Sequence, residues 1–188
     1  MRTGRRTVSN ARAQKSLNNL LEDGLREIYS AEKQLLEAMP DMAAACYSED
    51  LQDAVRHHMD ETKRQVERLE KVFRRLDIEI SGSETCAAME GLISEVKKTI
   101  RDYDESPVRD SALIIGAQKI EHYEIACYGS LCELCDVLGY WNICDLLGRT
   151  LDEEEKTDLE LTEIAMYVND EAYEMSENDS EEEESEEE

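Results

Sequence analysis

Apolar residues recur every three or four positions along most of the chain. A first stretch steps through Leu17, Leu21, Leu25, Ile28, Leu35, Met39 and Met42, with Pro40 near its end. This spacing gathers the apolar side chains into one stripe of an α-helix. A second stretch runs through Leu51, Val55, Thr62, Leu69, Val72 and Leu76. The third opens at Ser106-Pro107, a cap followed by a first-turn proline, and runs through Leu113, Ala117, Ile120, Cys127, Leu131, Leu134 and Leu138 to a stop at Gly139. The fourth holds Leu147, Leu151, Leu161, Ala165 and Val168. Four amphipathic helices of about 28 residues each predict an all-α bundle.

The connections narrow the topology. Short links near 47–50 and 139–141 make the first and last pairs antiparallel hairpins, whereas about 30 residues separate the second long helix from the third. That gap carries its own helical pattern, Met89, Leu92, Ile93, Val96 and Ile100, after a Ser81-Gly82-Ser83 turn. A connection of this length can run the full bundle, so helices two and three are expected to be parallel. The prediction is a ferritin-like four-helix bundle with an additional short helix in the long crossover between helices two and three.

Charge sets the boundaries. The 188 residues hold 21 Lys+Arg against 46 Asp+Glu, a net charge of −25. Residues 1–15 carry Arg2, Arg5, Arg6, Arg12 and Lys15 without an acid, and 170–188 carries twelve acids without a base. Both ends read as disordered, leaving 16–169 as one bundle domain. The acidic tail suits cations or a basic partner, while so negative a body disfavours nucleic acid. No apolar run is long enough to span a membrane, and the first 16 residues lack a secretory stretch, which points to the cytoplasm. Six cysteines fit that compartment as free thiols, and Cys132-x-x-Cys135 falls inside a continuous helical pattern, where core or surface packing outweighs zinc or redox use.

Candidate chemistry lies where the apolar stripes are interrupted. At 100° per residue, Glu32 falls on the stripe of the first helix, Glu124 on that of the third with Glu121 about 60° aside, and Glu154 on that of the fourth with Asp158 a turn later. The second helix offers His58 on its stripe and Glu61 at the edge. These positions lie near the midpoints of the four segments, so they form one polar layer. Lys33, Arg56, Lys63, Lys119, Arg149 and Lys156 all rotate outward, as does His122. Buried carboxylates without a counter-charge are costly. Acids from four helices with a histidine match a two-metal carboxylate site, for which oxygen-rich ligands suit iron or manganese. The competing explanation is a degenerate core with protonated or water-bridged carboxyls. Tyr29 and Tyr128 lie a turn from Glu32 and Glu124 and could orient ligands, although packing is the commoner role, and Met39 and Met42 read as core.

Four segments carry a family resemblance: Ile28-Tyr-Ser-Ala-Glu-Lys-Gln-Leu35, His58-Met-Asp-Glu-Thr-Lys-Arg-Gln-Val-Glu-Arg-Leu69, Cys86-Ala-Ala-Met-Glu-Gly-Leu92 and Gln118-Lys-Ile-Glu-His-Tyr-Glu-Ile125. Over about 16–168 the chain resembles the YciF-like stress-response proteins of the ferritin-like superfamily, which includes rubrerythrins and manganese catalases. The resemblance implies a homodimer with a dinuclear site. It implies Glu32 as a terminal ligand, Glu61 and either Glu121 or Glu124 as bridges, and Glu154 from the last helix. The superfamily often has Glu-x-x-His on the second helix and a histidine on the fourth; here His58 precedes Glu61, and the fourth helix offers Asp158. The functional expectation is oxidative or general stress protection, with peroxide or dioxygen reacting at two iron or manganese ions. A non-catalytic interaction or scaffold protein is the alternative class.

Overall fold

The computed structural model describes residues 16–80 and 85–186. The basic head 1–15 and the Ser81-Gly82-Ser83 turn lie outside the described residues. Among the described residues there are five helices and no strand: α1 (Leu17–Ala45), α2 (Glu49–Leu76), α3 (Ala87–Asp102), α4 (Pro107–Leu138) and α5 (Trp141–Glu186). The four long helices form the ferritin-like bundle, and α3 is the additional crossover helix.

Local chemistry marks the ends of the helices. Ser16 and Asn19 form a capping box on α1, Ser48 caps α2, and Ser106 caps α4 ahead of Pro107. α2 closes on Asp77 at φ 53°, and α4 closes on Gly139 at φ 78°, where a residue without a side chain meets no steric penalty. α1 continues through Pro40 to Ala45.

Around the ring the order is α1, α2, α5, α4, with α3 laid over the groove between α1 and α4. Contacts at the two ends give the directions. The fully buried Asp110, in the first turn of α4, accepts hydrogen bonds from the Tyr47 and Ser48 amides at 2.8 and 2.6 Å, which places the start of α4 beside the start of α2. At the other end Arg75 of α2 donates to the Asn142 carbonyl at 3.3 Å, and the Tyr140 hydroxyl donates to Asn18 at 3.0 Å. α2 and α4 are therefore parallel across the bundle diagonal, and the long crossover returns the chain between them. Gly116 permits the close seating of α3: a Cβ there would lie 2.7 Å from the Val96 Cγ2.

The core has two apolar layers. Leu35, Met39, Met42, Leu51, Leu113 and Leu161 fill the Asp110 end, and Leu21, Leu25, Leu69, Phe73, Leu131 and Leu147 fill the other. Their burial drives the folding of the bundle. Met39 and Met42 are core residues, as their spacing indicated.

Val168 is the last buried side chain of α5 among the described residues. The segment from 170, which charge composition suggested would be disordered, continues α5 as helix to Glu186. Glutamate is a good helix former, so a run of it can extend a helix that packing has already nucleated. Residues 171–177 are exposed except for the half-buried Ala172. Deleting 170–188 should therefore leave the melting temperature within about 2 °C of the full chain, because little packing is lost. A larger fall in a thermal melt followed by circular dichroism would show that the segment docks on the bundle.

Candidate metal centre

The polar layer is built one helical turn at a time. α1 presents Glu32; α2 presents His58, with Gln65 two turns on; α4 presents Glu121, Glu124 and Tyr128; α5 presents Glu154. All of these are buried, and Glu32, Gln65, Glu124, Tyr128 and Glu154 are completely so. Spacings of three and four keep each series on one helix face, turned toward the bundle axis.

His58, Glu121, Glu124 and Glu154 each offer a ligand atom, and these four atoms lie within 4.8 Å of one another. The His58 Nε2 is 3.2 Å from Glu121 Oε1, and its Nδ1 is 3.9 Å from Glu154 Oε2. Glu32 adjoins the group, and the Tyr128 hydroxyl donates to its Oε1. Glu32 Oε2, Glu121 Oε2, both oxygens of Glu124 and of Glu154, and both His58 nitrogens have no hydrogen-bond partner. A buried polar atom without a partner costs free energy, and here they converge in one place. Such a donor set can hold a metal ion, and the orphaned atoms fit that use.

The electrostatics agree. Burial pushes the Glu32 and Glu121 carboxyls up to about 8; the Tyr128 hydroxyl and the Arg68 charge oppose the rise at Glu32, and Glu154 opposes it at Glu121, where the charges of Glu32, Asp158 and Glu61 add to it. Burial and the neighbouring carboxylates also raise Glu124 and Glu154 well above the usual range. Burial pushes His58 down to about 4, so its imidazole is neutral and can act as a ligand. Without a cation the layer favours protons; a cation would favour the ionised carboxylates.

Other expected members are placed apart. Glu61 is buried but turned to the edge of α2, 3.3 Å from His57 and 3.6 Å from Arg64, outside the four-residue group. Asp158 sits at the rim, 3.4 Å from the Gln118 amide and 3.5 Å from His122. Tyr29 faces away from the layer: its hydroxyl donates to Glu70 at 3.2 Å and its ring packs edge-on against Phe73. The rotation that put it near Glu32 left it on the α1–α2 seam. Both Glu121 and Glu124 point inward, and the six outward bases are exposed.

Sequence reasoning missed one basic residue. Arg68 binds Glu153 through two nitrogens at 2.9 and 2.8 Å, and also donates to Thr150, while Gln65 donates to the same carboxylate at 3.1 Å. Burial alone would raise the Glu153 carboxyl, but the Arg68 and Gln65 hydrogen bonds and the Arg68 charge hold it below the usual value. Arg68 lies about 60° from Gln65 around α2, the offset that drew attention to Glu61. That offset was the available signal. The pair engages the guanidinium, so it leaves the glutamate layer without a dedicated basic partner.

A ferritin-like bundle with a buried carboxylate–histidine cluster defines the class of this protein. The chain belongs to the DUF892 family, a domain family of unknown function, whose profile matches residues 16–173. It is 42% identical to Protein YciF of Escherichia coli (strain K12) over 153 residues, which is 81% of this chain and 92% of that protein. The crystal structure of the Escherichia coli stress protein YciF superposes with a TM-score of 0.80 at 41% identity, covering 84% of this chain and 99% of that one. YcfI from Rhodopseudomonas palustris gives a TM-score of 0.77 at 38% identity, covering 81% and 96%. No helix among the described residues is long and apolar enough to cross a membrane.

The raised carboxyls predict a pH dependence of the metal-stripped chain. Glu32 and Glu121 titrate near 8 when folded, above their ordinary value, so their contribution is full at low pH and is lost as pH rises through 8. His58 acts oppositely, losing its contribution as pH falls from its ordinary 6.5 through about 4. Between pH 6.5 and 8 only the carboxyl effect remains, so urea stability of chelator-treated protein should fall across that window. Constant stability there would mean that the carboxyls are already ionised at pH 6.5.

Proposed function

We propose that this chain is a dimetal-carboxylate protein of oxidative or general stress protection, holding two iron or manganese ions and reacting with peroxide or dioxygen. The observation that carries the reading is the buried layer of Glu32, Glu121, Glu124 and Glu154, with six unpartnered oxygens and its nearest arginine engaged by Glu153. Two divalent cations match the four negative charges of these glutamates and leave His58 as a neutral nitrogen ligand. One imidazole among carboxylates suits iron or manganese rather than a thiolate-preferring metal. When bound, such ions supply a change of valence and Lewis acidity.

The chain's own residues have definable tasks. Glu121 and Glu124, on successive turns of α4, would supply that helix's carboxylate ligands. Tyr128 orients Glu32 by its hydroxyl, and the depressed pKa keeps His58 free of a competing proton. The flanking apolar layers exclude bulk water. The description of the Escherichia coli relative as a stress protein supports the biological setting.

Elemental analysis of protein purified without chelator should give about two metal ions per chain, as in the dimetal sites of such bundles. Glu124→Gln should lower that content, whereas Glu67→Gln, on an exposed face, should not. Glu32→Gln should reduce consumption of peroxide or dioxygen by the metal-reduced protein, with metal-free stability unchanged or higher because a buried carboxylate becomes an amide. Protein that binds no metal, or consumes neither oxidant when loaded and reduced, belongs to the scaffold class instead.

We also propose a cytoplasmic homodimer. All six cysteines are free, as suits a reducing compartment. Leu17, Leu20, Tyr140 and the 70% exposed Trp141 gather apolar surface at one end of the bundle. Sedimentation equilibrium at micromolar concentration should report the mass of two 21.6 kDa chains; a single-chain mass would remove the dimer.

A further inference from the structure

A small cavity adjoins the polar layer. It lies toward the Asp110 end and measures about 20 Å3, room for a molecule little larger than water. Leu35, Met39, Met42, Val55, Ile120 and Leu161 wall it. His58 and Glu121 close the inner end, and both ring nitrogens of His58 lack a hydrogen-bond partner. The remaining polar lining group is Thr157, whose hydroxyl already donates to the Glu153 carbonyl at 3.1 Å.

Three properties select the occupant. The volume limits it to about two heavy atoms. The walls are apolar except at His58, Glu121 and Thr157, so a molecule that needs partners on every side, such as water or hydrogen peroxide, finds them only there and loses part of its solvation on entry. Outside, a cleft between α2 and α5 shares Ala54 with the cavity and is rimmed by Asp50, Asp53, Glu160 and Glu163, which repel an anion.

We propose that this cavity is a holding site for a neutral apolar diatomic of the dioxygen class, presented to the His58–Glu121 side of the centre. The proposal rests on the dimetal reading for its purpose but not for its test. Dissolved dioxygen is paramagnetic and speeds relaxation of the methyl groups it visits, so the full-length, metal-stripped chain can be examined by NMR under oxygen pressure. The Met39 methyl, and with it that of Ala117, should show an enhancement several-fold greater than those of Leu25 and Val72, which are buried like Met39 but in the opposite layer. Ala117→Leu, which fills the cavity, should abolish the excess at Met39 and leave Val72 unchanged. Where that variant folds poorly, Ala117→Val is the milder filling, and Met42→Ala, which widens the space, should increase the excess.

Uniform enhancement across both layers would overturn the holding site even if the protein proves to bind two metals. Absence of metal binding alongside a localised enhancement would overturn the dimetal reading and keep the cavity. In metal-loaded, reduced protein, Ala117→Leu should slow consumption of dioxygen and spare that of hydrogen peroxide. Equal slowing of both would overturn the preference for an apolar diatomic.

Discussion

The structure depends on carboxylates placed where water cannot reach them. Four glutamates from α1, α4 and α5 share one level of the bundle with a neutral histidine from α2, and the surrounding helices give them almost no hydrogen bonds. Left ionised and unpaired, such groups oppose folding by several kcal/mol each. The chain must therefore be stabilised elsewhere, and the apolar layers above and below do this. The polar layer still constrains those layers, because every helix must bring its interruption to the same height. Sliding any helix by one turn would set a glutamate against leucine and leave a second level of the core disturbed.

Arg68 shows how the protein keeps that tension in place. A guanidinium close to four carboxylates would ordinarily neutralise part of their charge. Here Glu153, next to Glu154 in sequence but rotated away from the axis, holds it in a two-point hydrogen bond, with Gln65 on the same carboxylate. The pair ties α2 to α5 just beside the layer and satisfies itself. The inner glutamates keep their capacity for protons or metal cations, which is the property a metal site requires and a purely structural core would lose.

Much of the fold was legible in the sequence because helix periodicity and chain connectivity are local signals. The four long stripes, the extra helix beginning near Ala87, and the short and long connections appear in the structure at nearly the expected positions. Rotation at 100° per residue also placed Glu32, His58, Glu121, Glu124 and Glu154 inward. It was weakest at the edges of the stripe. Glu61, Asp158 and Tyr29 each lie near the axis-facing arc, and each is drawn off by a neighbour on its own or an adjacent helix: His57 and Arg64, Gln118 and His122, Glu70 and Phe73. A residue at the border of two faces is placed by its partners. Those partners belong to tertiary structure, and one helix's rotation cannot supply them. Arg68 is the same case in reverse, a border residue drawn inward. The tail shows another limit: repulsion among its charges favours disorder, but propagation from a packed helix favours another turn, and composition alone does not weigh the two.

The two sides of the polar layer differ in a way that gives the centre a direction. On the side of Leu25 and Phe73, the fully buried Tyr128 donates its hydroxyl to Glu32. On the other side Met39, Met42 and Ala117 leave a small apolar space that reaches His58. The same end is locked by Asp110, whose carboxylate binds the amides of the α1–α2 turn and joins it to the start of α4. Helices tied at that end cannot separate without exposing a buried acid and two amide donors. The topology makes this tie possible: the long crossover leaves α2 and α4 parallel, so the first turn of α4 meets the turn that precedes α2. A simple up-down bundle would instead make those two helices antiparallel neighbours joined by a short loop, and would leave no crossover helix to cover α1 and α4. Here α3 seats against Gly116, next to Ala117 in the segment of α4 that lines the cavity.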